Sequence, residues 1–163
     1  VVEGSAFIAA PMCGMTLAQL GADVIRFDQL GGGIDYRRWP VTDDNTSIYW
    51  AEMKKGKRSI AVDIRSDEGR EIVTELITAP GDEGGIFSTN LPARGWLGYD
   101  TLRSKRSDLI QHEIVGNRHG TSALDYTVNA KVGFPYVTGP EDDERPVNHV
   151  LPAWDIEIGR AHV

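Results

Sequence analysis

One stretch of the sequence, residues 11–28, limits most strongly what this chain can fold into. It reads PMCGMTLAQLGADVIRFD. Its apolar side chains recur at helical spacing and share one face of a predicted helix; they are Met12, Met15, Ala18 and Leu20. Gly21 follows where many helices end in a left-handed residue, a conformation that costs glycine little. Residues 24–28 then form a short apolar strand that closes on Asp28.

A helix that passes through one glycine into a buried strand is the αβ half of an α/β sheet. Further strands are predicted at residues 59–64, 85–89 and 109–115. Ser66, followed by Asp67 and Glu68, predicts the start of a helix between two of them. The predicted fold class is therefore α/β. In open sheets of this kind ligands bind beyond the carboxyl ends of the strands, so the residues after Phe27 are candidate contacts.

Composition narrows the class of partner. The chain has 163 residues, of which 40% are hydrophobic, and this is enough for a single core. Its net charge of −7 argues against nucleic acid or an anionic membrane as a partner. The only cysteine, Cys13, excludes an internal disulfide framework, and no apolar run approaches the ~20 residues of a membrane span. We therefore expect a cytoplasmic protein.

Both ends of the chain suggest a fragment. It opens on Val1, already inside a strand-like run, VVEG. Residues 158–163, IGRAHV, resemble the in-frame translation of a common sequencing adapter. We therefore expect residues 1–157 to form the N-terminal part of a domain and residues 158–163 to be a non-native tail.

Three features leave functional and structural interpretations open. The basic run at residues 54–58, KKGKR, suits either a local anion site or a solvated loop. Asp155 follows Pro-Ala-Trp, where it could simply cap a helix. His112 lies in a predicted strand, and no second His or Cys completes a metal-ligand spacing, so we expect no metal site.

Three segments resemble the family III CoA-transferases in order and spacing. Residues 14–28, 54–71 and 88–103 read GMTLAQLGADVIRFD, KKGKRSIAVDIRSDEGRE and STNLPARGWLGYDTLR. The resemblance spans residues 1–156. It implies a Rossmann-like domain that binds CoA, present here in incomplete form, and a homodimer whose subunits interlock like chain links.

The same resemblance assigns a catalytic role to Asp155, in the segment VLPAWDI. In these transferases the matching carboxylate attacks an acyl-CoA thioester, forms a mixed anhydride and then carries CoA as an aspartyl-CoA thioester. An ionised aspartate suits such covalent catalysis at neutral pH.

The resemblance also implies contacts to the CoA nucleotide or its pantetheine arm. Gln29 stands where some relatives have arginine, which weakens one expected phosphate or adenine contact. Arg94 lies near a family arginine, in a shorter loop. The full set of predicted CoA contacts is Gln29, Val62, Arg65, Asn90, Leu91 and Arg94.

Several activities occur among proteins of this kind. The phrases VVEGSAF, DYRRWPVT, DYTVN and VNHVLPAWDI are closest to members that move CoA between the two carboxyl groups of one branched C4 dicarboxylate, mesaconyl-CoA. Transfer of CoA between two different acids is the first alternative. Racemisation is a weaker one, because residues 124–126 lack the preceding histidine of the racemases and His119 lies too early. A nucleotide-binding module without catalysis is the remaining alternative.

Overall fold

The computed structural model describes residues 1–119, 121–148 and 150–160. Within them the chain forms a five-stranded parallel sheet in the order β3-β2-β1-β4-β5. The strands are β1 (Val2–Gly4), β2 (Ile25–Asp28), β3 (Arg58–Ala61), β4 (Ile86–Thr89) and β5 (Ile110–Glu113). This order reverses direction beside β1, as in the first half of a doubly wound sheet, and confirms the predicted α/β class.

Helices connect and cover the strands. They are α1 (Ala9–Gln19), α2 (Ile48–Met53), α3 (Asp67–Ile77), α4 (Tyr99–Arg103), α5 (Asp125–Lys131) and α6 (Ala153–Arg160), with 3₁₀ turns at Gly95–Leu97 and Phe134–Tyr136. Each helix in the described ranges is too short or too polar to cross a membrane. Strand β3 ends earlier than predicted because the chain turns into α3, where the Asp63 carbonyl accepts from Ser66 N at 3.1 Å.

Helix α3 begins as its sequence predicts. The Ser66 hydroxyl accepts a hydrogen bond from Gly69 N at 3.0 Å and so satisfies one of the amides that a helix leaves free. Val73 and Ile77 are fully buried against the sheet. They join an apolar core on one side of the sheet, whose other buried members are Val2, Phe27, Val62, Phe87, Leu97, Leu102 and Leu109.

Helix α1 buries a different face from the one its larger side chains suggested. Its buried residues include Ala10, Cys13 and Gly14, whereas Leu20 lies beyond the helix end and is 74% exposed. Small residues let the helix approach the sheet, and a Cβ at Gly14 would collide with the Glu3 carboxylate. Gly21 adopts φ +102°, which confirms the predicted left-handed turn.

The sheet face below α1 carries buried charges. Arg26, which is 1% exposed, donates from Nε and Nη2 to Asp28 Oδ1 at 3.1 and 3.0 Å. Lys57 Nζ donates to Glu3 Oε2 and to the Pro11 carbonyl, both at 2.7 Å. Ion pairing compensates the desolvation of these groups, because an unpaired charge in this position would be costly.

The side chains of the basic run at residues 54–58 therefore lie in two different environments. Lys57 is buried in its ion pair with Glu3, and Lys54 is buried with Nζ 3.7 Å from Asp28 Oδ2. The side chain of Lys55 is exposed. Neither an anion site nor a solvated loop describes the whole run, because two of its side chains point into the charged face of the sheet.

Candidate active site

A crevice opens at the carboxyl ends of β1, β2 and β4, where the strand order reverses. Its cavity of about 340 Å³, here called the crevice cavity, is lined by Ser5, Ala6 and Phe7 after β1, Asp28 and Gln29 at the end of β2, Gly33, Ile34, Ile64, and Asn90 and Leu91 after β4, with Phe27 at its base. Doubly wound sheets bind their ligands in this place. A Cβ at Gly33 would collide with the Asp28 carboxylate, so the loop after β2 requires glycine there.

The predicted CoA contacts divide between this cavity and its surroundings. Gln29, Asn90 and Leu91 line the crevice cavity. Val62 is buried in the apolar core and lines neither cavity described here. Arg65 and Arg94 are exposed; Arg65 directly follows Ile64, which lines the crevice cavity. The structure therefore brings three of the six residues together.

Asn90 uses its side chain to hold the loop after β1. Its Oδ1 accepts from Ala6 N at 2.9 Å, and its Nδ2 donates to the Ala6 carbonyl at 2.7 Å. Both ends of the amide are thus engaged by one residue. Asn90 shapes the crevice by fixing this loop, in addition to forming part of the cavity wall.

A larger cavity of about 700 Å³ adjoins the crevice cavity and contains Asp155. Phe7 and Asn90 line both cavities, so the two meet at these side chains. We call the larger one the Asp155 cavity. Its wall includes Arg38, Trp39 and Tyr49 from the segment after β2, residues 114–116 after β5, the start of α5, and Trp154 and Ile158 of α6.

Asp155 lies in the first turn of α6, which packs against α1. The approach is close, because a Cβ at Gly159 would lie 2.5 Å from the Ala9 carbonyl oxygen. Helix α6 continues through Ile158 to Arg160, the first half of the predicted tail. The rest of that tail, residues 161–163, lies outside the described residues, and its non-native origin stays a prediction.

Asp125 caps the helix that carries Asp155. Its Oδ1 accepts from Trp154 N at 2.9 Å and from Asp155 N at 3.3 Å, while Oδ2 accepts from Asn129 Nδ2 at 2.8 Å. The side chain is buried at the start of α5. A carboxylate at a helix N-terminus satisfies free amides and complements the helix dipole. The capping group of α6 is therefore Asp125 rather than Asp155 itself.

The surroundings of Asp155 favour its protonated form. Burial raises the pKa of Asp155 above its ordinary value, and the negative charge of Asp125 raises this pKa further. The positive charge of Arg38 acts in the opposite direction and lowers the pKa of Asp155. A carboxylate with a raised pKa is more basic, which favours its use as a nucleophile.

Two polar side chains that the sequence analysis did not select also line the Asp155 cavity. The Arg38 guanidinium lies 4.5 Å from the Tyr49 ring centroid and 5.4 Å from that of Phe7. The Tyr49 hydroxyl is buried and has no hydrogen-bond partner in the described part of the chain. Burial raises the pKa of Tyr49, so its hydroxyl stays protonated. In the sequence, only the place of Arg38 in the polar segment that follows a predicted strand could have indicated a role for it.

Phe7, at the meeting point of the two cavities, is held by a buried acid. Its backbone nitrogen donates to Asp35 Oδ2 at 2.8 Å, and its φ of 63° lies in the left-handed region. That conformation is uncommon for a bulky residue, so the hydrogen bond helps to fix it. In the part of the chain that the structure describes, no group of three His, Cys, Asp or Glu residues is arranged as metal ligands.

Comparison with known proteins gives a consistent set of relatives. A family model described as CoA-transferase family III matches residues 1–162. The 2-methylfumaryl-CoA isomerase of Chloroflexus aurantiacus is 62% identical over 161 residues, which are 98% of this chain and 39% of that protein. The succinate–glutarate CoA-transferase of Agrobacterium fabrum is 33% identical over 171 residues, covering 98% of this chain and 42% of that protein. The chain thus spans well under half the length of these relatives.

A solved structure supports the same relationship. The crystal structure of a CAIB/BAIF family protein from Brucella suis superimposes with a TM-score of 0.82 and 29% sequence identity. The match covers 97% of this chain and 44% of that one. The sheet and helices described above are therefore those of a known fold, seen here over part of its length.

Proposed function

The chain belongs to CoA-transferase family III, and from this premise we propose that the complete protein moves CoA between carboxyl groups of a small dicarboxylate. The proposed substrate is 2-methylfumaryl-CoA (mesaconyl-CoA), and CoA moves from one carboxyl group to the other within one molecule. The name of the relative at 62% identity supports this substrate. The position of Asp155, in a large cavity that meets the crevice cavity, is the structural observation that carries the proposal.

Asp155 acts as the nucleophile in this proposal. Its carboxylate attacks the thioester carbonyl carbon, and the CoA thiolate leaves, which gives a mixed anhydride. The thiolate then attacks the Asp155 acyl carbon of the anhydride. The acid leaves as a free carboxylate, and CoA is held as a thioester on Asp155.

The second half of the reaction repeats these steps in reverse. The other carboxylate of the same acid attacks the Asp155 thioester and expels the thiolate, which re-forms an anhydride. The thiolate attacks the substrate carbonyl carbon of that anhydride, and Asp155 leaves as a carboxylate. Each step exchanges one acyl bond for another, so the reaction balances with no change of oxidation state.

The crevice cavity is the proposed site for part of CoA, between Gln29 on one side and Asn90 and Leu91 on the other. Its predominantly apolar wall suits the pantetheine arm better than the charged phosphates. Arg65 and Arg94, exposed beyond the cavity, are candidates for phosphate contacts. Val62 does not line the cavity and supports the proposed site only as part of the apolar core. We also propose that the complete protein is an interlocked homodimer in the cytoplasm.

Isotope labelling tests whether transfer is intramolecular. The complete enzyme is incubated with unlabelled 2-methylfumaryl-CoA and excess ¹³C-labelled free 2-methylfumarate. We expect CoA to change position with no label entering the thioester. Label in the product would instead favour transfer between two acids, the activity named for the relative at 33% identity. Absence of any CoA movement would contradict both forms of the proposal.

A further inference from the structure

We infer that Arg38 and Tyr49 form a carboxylate subsite in the Asp155 cavity, which holds the carboxyl group of the substrate that is not bonded to CoA. The inference rests on the proposed function and extends it to the residues that select a dicarboxylate.

Arg38 forms no close ion pair with an acidic side chain in the described part of the chain. Within the described ranges, no carboxylate oxygen lies within 4.0 Å of its guanidinium. The guanidinium instead lies against the faces of Tyr49 and Phe7, which fix its position and leave its N–H groups available. An arginine held in this way presents donors that match a carboxylate.

Tyr49 supplies a second donor in the same wall. Its hydroxyl oxygen is buried without a hydrogen-bond partner among the described residues. Leaving such a group unsatisfied is costly, so a ligand that accepts its hydrogen bond gains by doing so. Helix α2, which carries Tyr49, is itself fixed at its start because Ser47 accepts from Trp50 N at 3.1 Å and donates to the Arg38 carbonyl at 2.5 Å. The two donors therefore belong to one connected unit.

The subsite lies near enough to Asp155 to serve the same small molecule. Arg38, Tyr49 and Asp155 all line one cavity. The charge of Arg38 lowers the pKa of Asp155, and the charge of Asp155 raises the pKa of Tyr49, so the three groups influence one another electrostatically. Asp155 repels a second carboxylate, and Arg38 offsets this repulsion. A dicarboxylate can therefore place one carboxyl group at Asp155 and the other at Arg38.

This arrangement has a consequence for transfer within one molecule. Both carboxyl groups of the acid must react at Asp155 in turn, so the released acid must exchange its two ends while CoA stays on Asp155. A subsite that accepts either carboxylate retains the acid during this exchange. Weaker retention would allow the acid to escape and an outside acid to take its place.

A pair of thioesters tests the subsite in the complete protein. The substrate 2-methylfumaryl-CoA, with its thioester at C1, is compared with (E)-2-methylbut-2-enoyl-CoA, in which a methyl group replaces the free carboxylate. The measured quantity is the second-order rate constant for forming the Asp155 adduct, trapped with hydroxylamine. At a pH on the plateau of the rate profile, where Asp155 is ionised in both proteins, we expect Arg38→Gln to lower this constant roughly ten- to a hundredfold for the dicarboxyl substrate and to leave it unchanged for the monocarboxyl one.

Two further variants sharpen the test. Tyr49→Phe removes only the hydroxyl and should lower the rate constant in the same direction by a smaller factor. Arg37→Gln is the matched control, because Arg37 is also exposed but lines neither cavity. This variant should leave the rate constant unchanged with both thioesters. Equal losses with both thioesters in Arg38→Gln, or no loss with either, would overturn the subsite.

Binding of free 2-methylfumarate separates this inference from the proposed function. If the wild-type protein forms no adduct with either thioester, the proposed function fails, yet calorimetric titration with the free acid still tests Arg38. We expect Arg38→Gln to weaken that binding roughly ten- to a hundredfold, with Arg37→Gln unchanged. Equal affinity in Arg38→Gln and wild type would contradict the subsite whether or not the enzyme is active.

Discussion

Asp155 is influenced by a negatively charged neighbour, Asp125, and by a positively charged one, Arg38. Its backbone nitrogen, at the start of α6, donates to Asp125, while its side chain faces a cavity in which Arg38 supplies a positive charge. Asp125 thus fixes the start of α6, and its negative charge adds to burial in raising the pKa of Asp155. In the proposed mechanism the reaction requires ionised Asp155, so this pKa sets the lower limit of the expected active pH range.

Asp125→Asn in the complete enzyme should move that limit. The amide oxygen of the substituted side chain can still accept from the backbone N–H groups of α6, but the negative charge that raises the pKa of Asp155 is gone. We expect the acidic limb of the plot of kcat/KM against pH to shift to lower pH. Wild type and Arg37→Gln, measured in the same buffers, are the references. An unchanged limb, or a shift to higher pH, would contradict the electrostatic role of Asp125.

The sequence predicts Asp155 as a candidate but does not point to its neighbours. The prediction for Asp155 rests on a linear motif, whereas Asp125, 30 residues earlier, contacts α6 only because of the fold. Arg38 and Tyr49 were not selected for a similar reason, because their shared position arises from packing between a loop and a short helix. Of the predicted CoA contacts, Gln29 after β2 and Asn90 and Leu91 after β4 lie together in the crevice cavity, whereas Val62, directly after β3, turns into the apolar core.

Among the elements, α3 was accessible from sequence because local signals determine it, whereas the strand order β3-β2-β1-β4-β5 depends on pairings between distant segments. Ser66 and the spacing of Val73 and Ile77 specify α3 without reference to the rest of the chain. The charged sheet face below α1 was not accessible. Glu3 and Lys57 are 54 residues apart in sequence, and the pattern of β1 alone does not show that its acid is buried against a lysine.

The ion pair between Glu3 and Lys57 links β1 to the segment before β3. Lys57→Met in the complete protein removes the nearer cation from the buried Glu3 carboxylate and leaves it only Arg26 at 3.8 Å and the Ser5 hydroxyl, so we expect a loss of roughly 3 kcal/mol in the free energy of unfolding, the lower end for a broken buried ion pair. Burial lowers the pKa of Lys57, while the charge of Glu3 and its hydrogen bond to Lys57 raise it, so the charged form of Lys57 is favoured by this partner. Denaturant unfolding measures the loss, with the exposed Lys55→Met as control.

The double variant Glu3→Gln with Lys57→Met provides the decisive comparison for this ion pair. Removing both charges should recover much of the stability lost in Lys57→Met, because no unpaired charge remains buried. Glu3→Gln alone is measured as well. If Lys57→Met is as stable as wild type, or if the double variant loses as much stability as the two single variants added together, the ion pair contributes little.

At the level of the whole molecule, apolar side chains remain uncovered in the region from α5 to α6. They include Leu124 at 67%, Tyr136 at 77%, Val137 at 84% and Val150 at 103% exposure. Surface of this kind in a chain that spans 39% of a relative indicates missing contacts, either from further sequence or from a second subunit. Trp154, in the same region, is partly buried.

We predict that the 163-residue chain on its own transfers no CoA and self-associates. Its uncovered apolar residues favour association, and the proposed interlocked partner is absent. Size-exclusion chromatography with light scattering, together with a turnover assay on 2-methylfumaryl-CoA, tests both parts. The complete protein is the control. A monodisperse, active sample of residues 1–163 would contradict the prediction.

The central claim is that Asp155 carries CoA during the reaction. The complete enzyme is incubated with 2-methylfumaryl-CoA, treated with hydroxylamine or borohydride, digested and analysed by mass spectrometry, with Asp155→Asn as the matched variant. We predict a hydroxamate or an alcohol at Asp155 in the wild type, and neither product nor turnover in Asp155→Asn, whose CoA affinity should change little. Full activity in Asp155→Asn, or a trapped adduct at a different residue, would contradict the account.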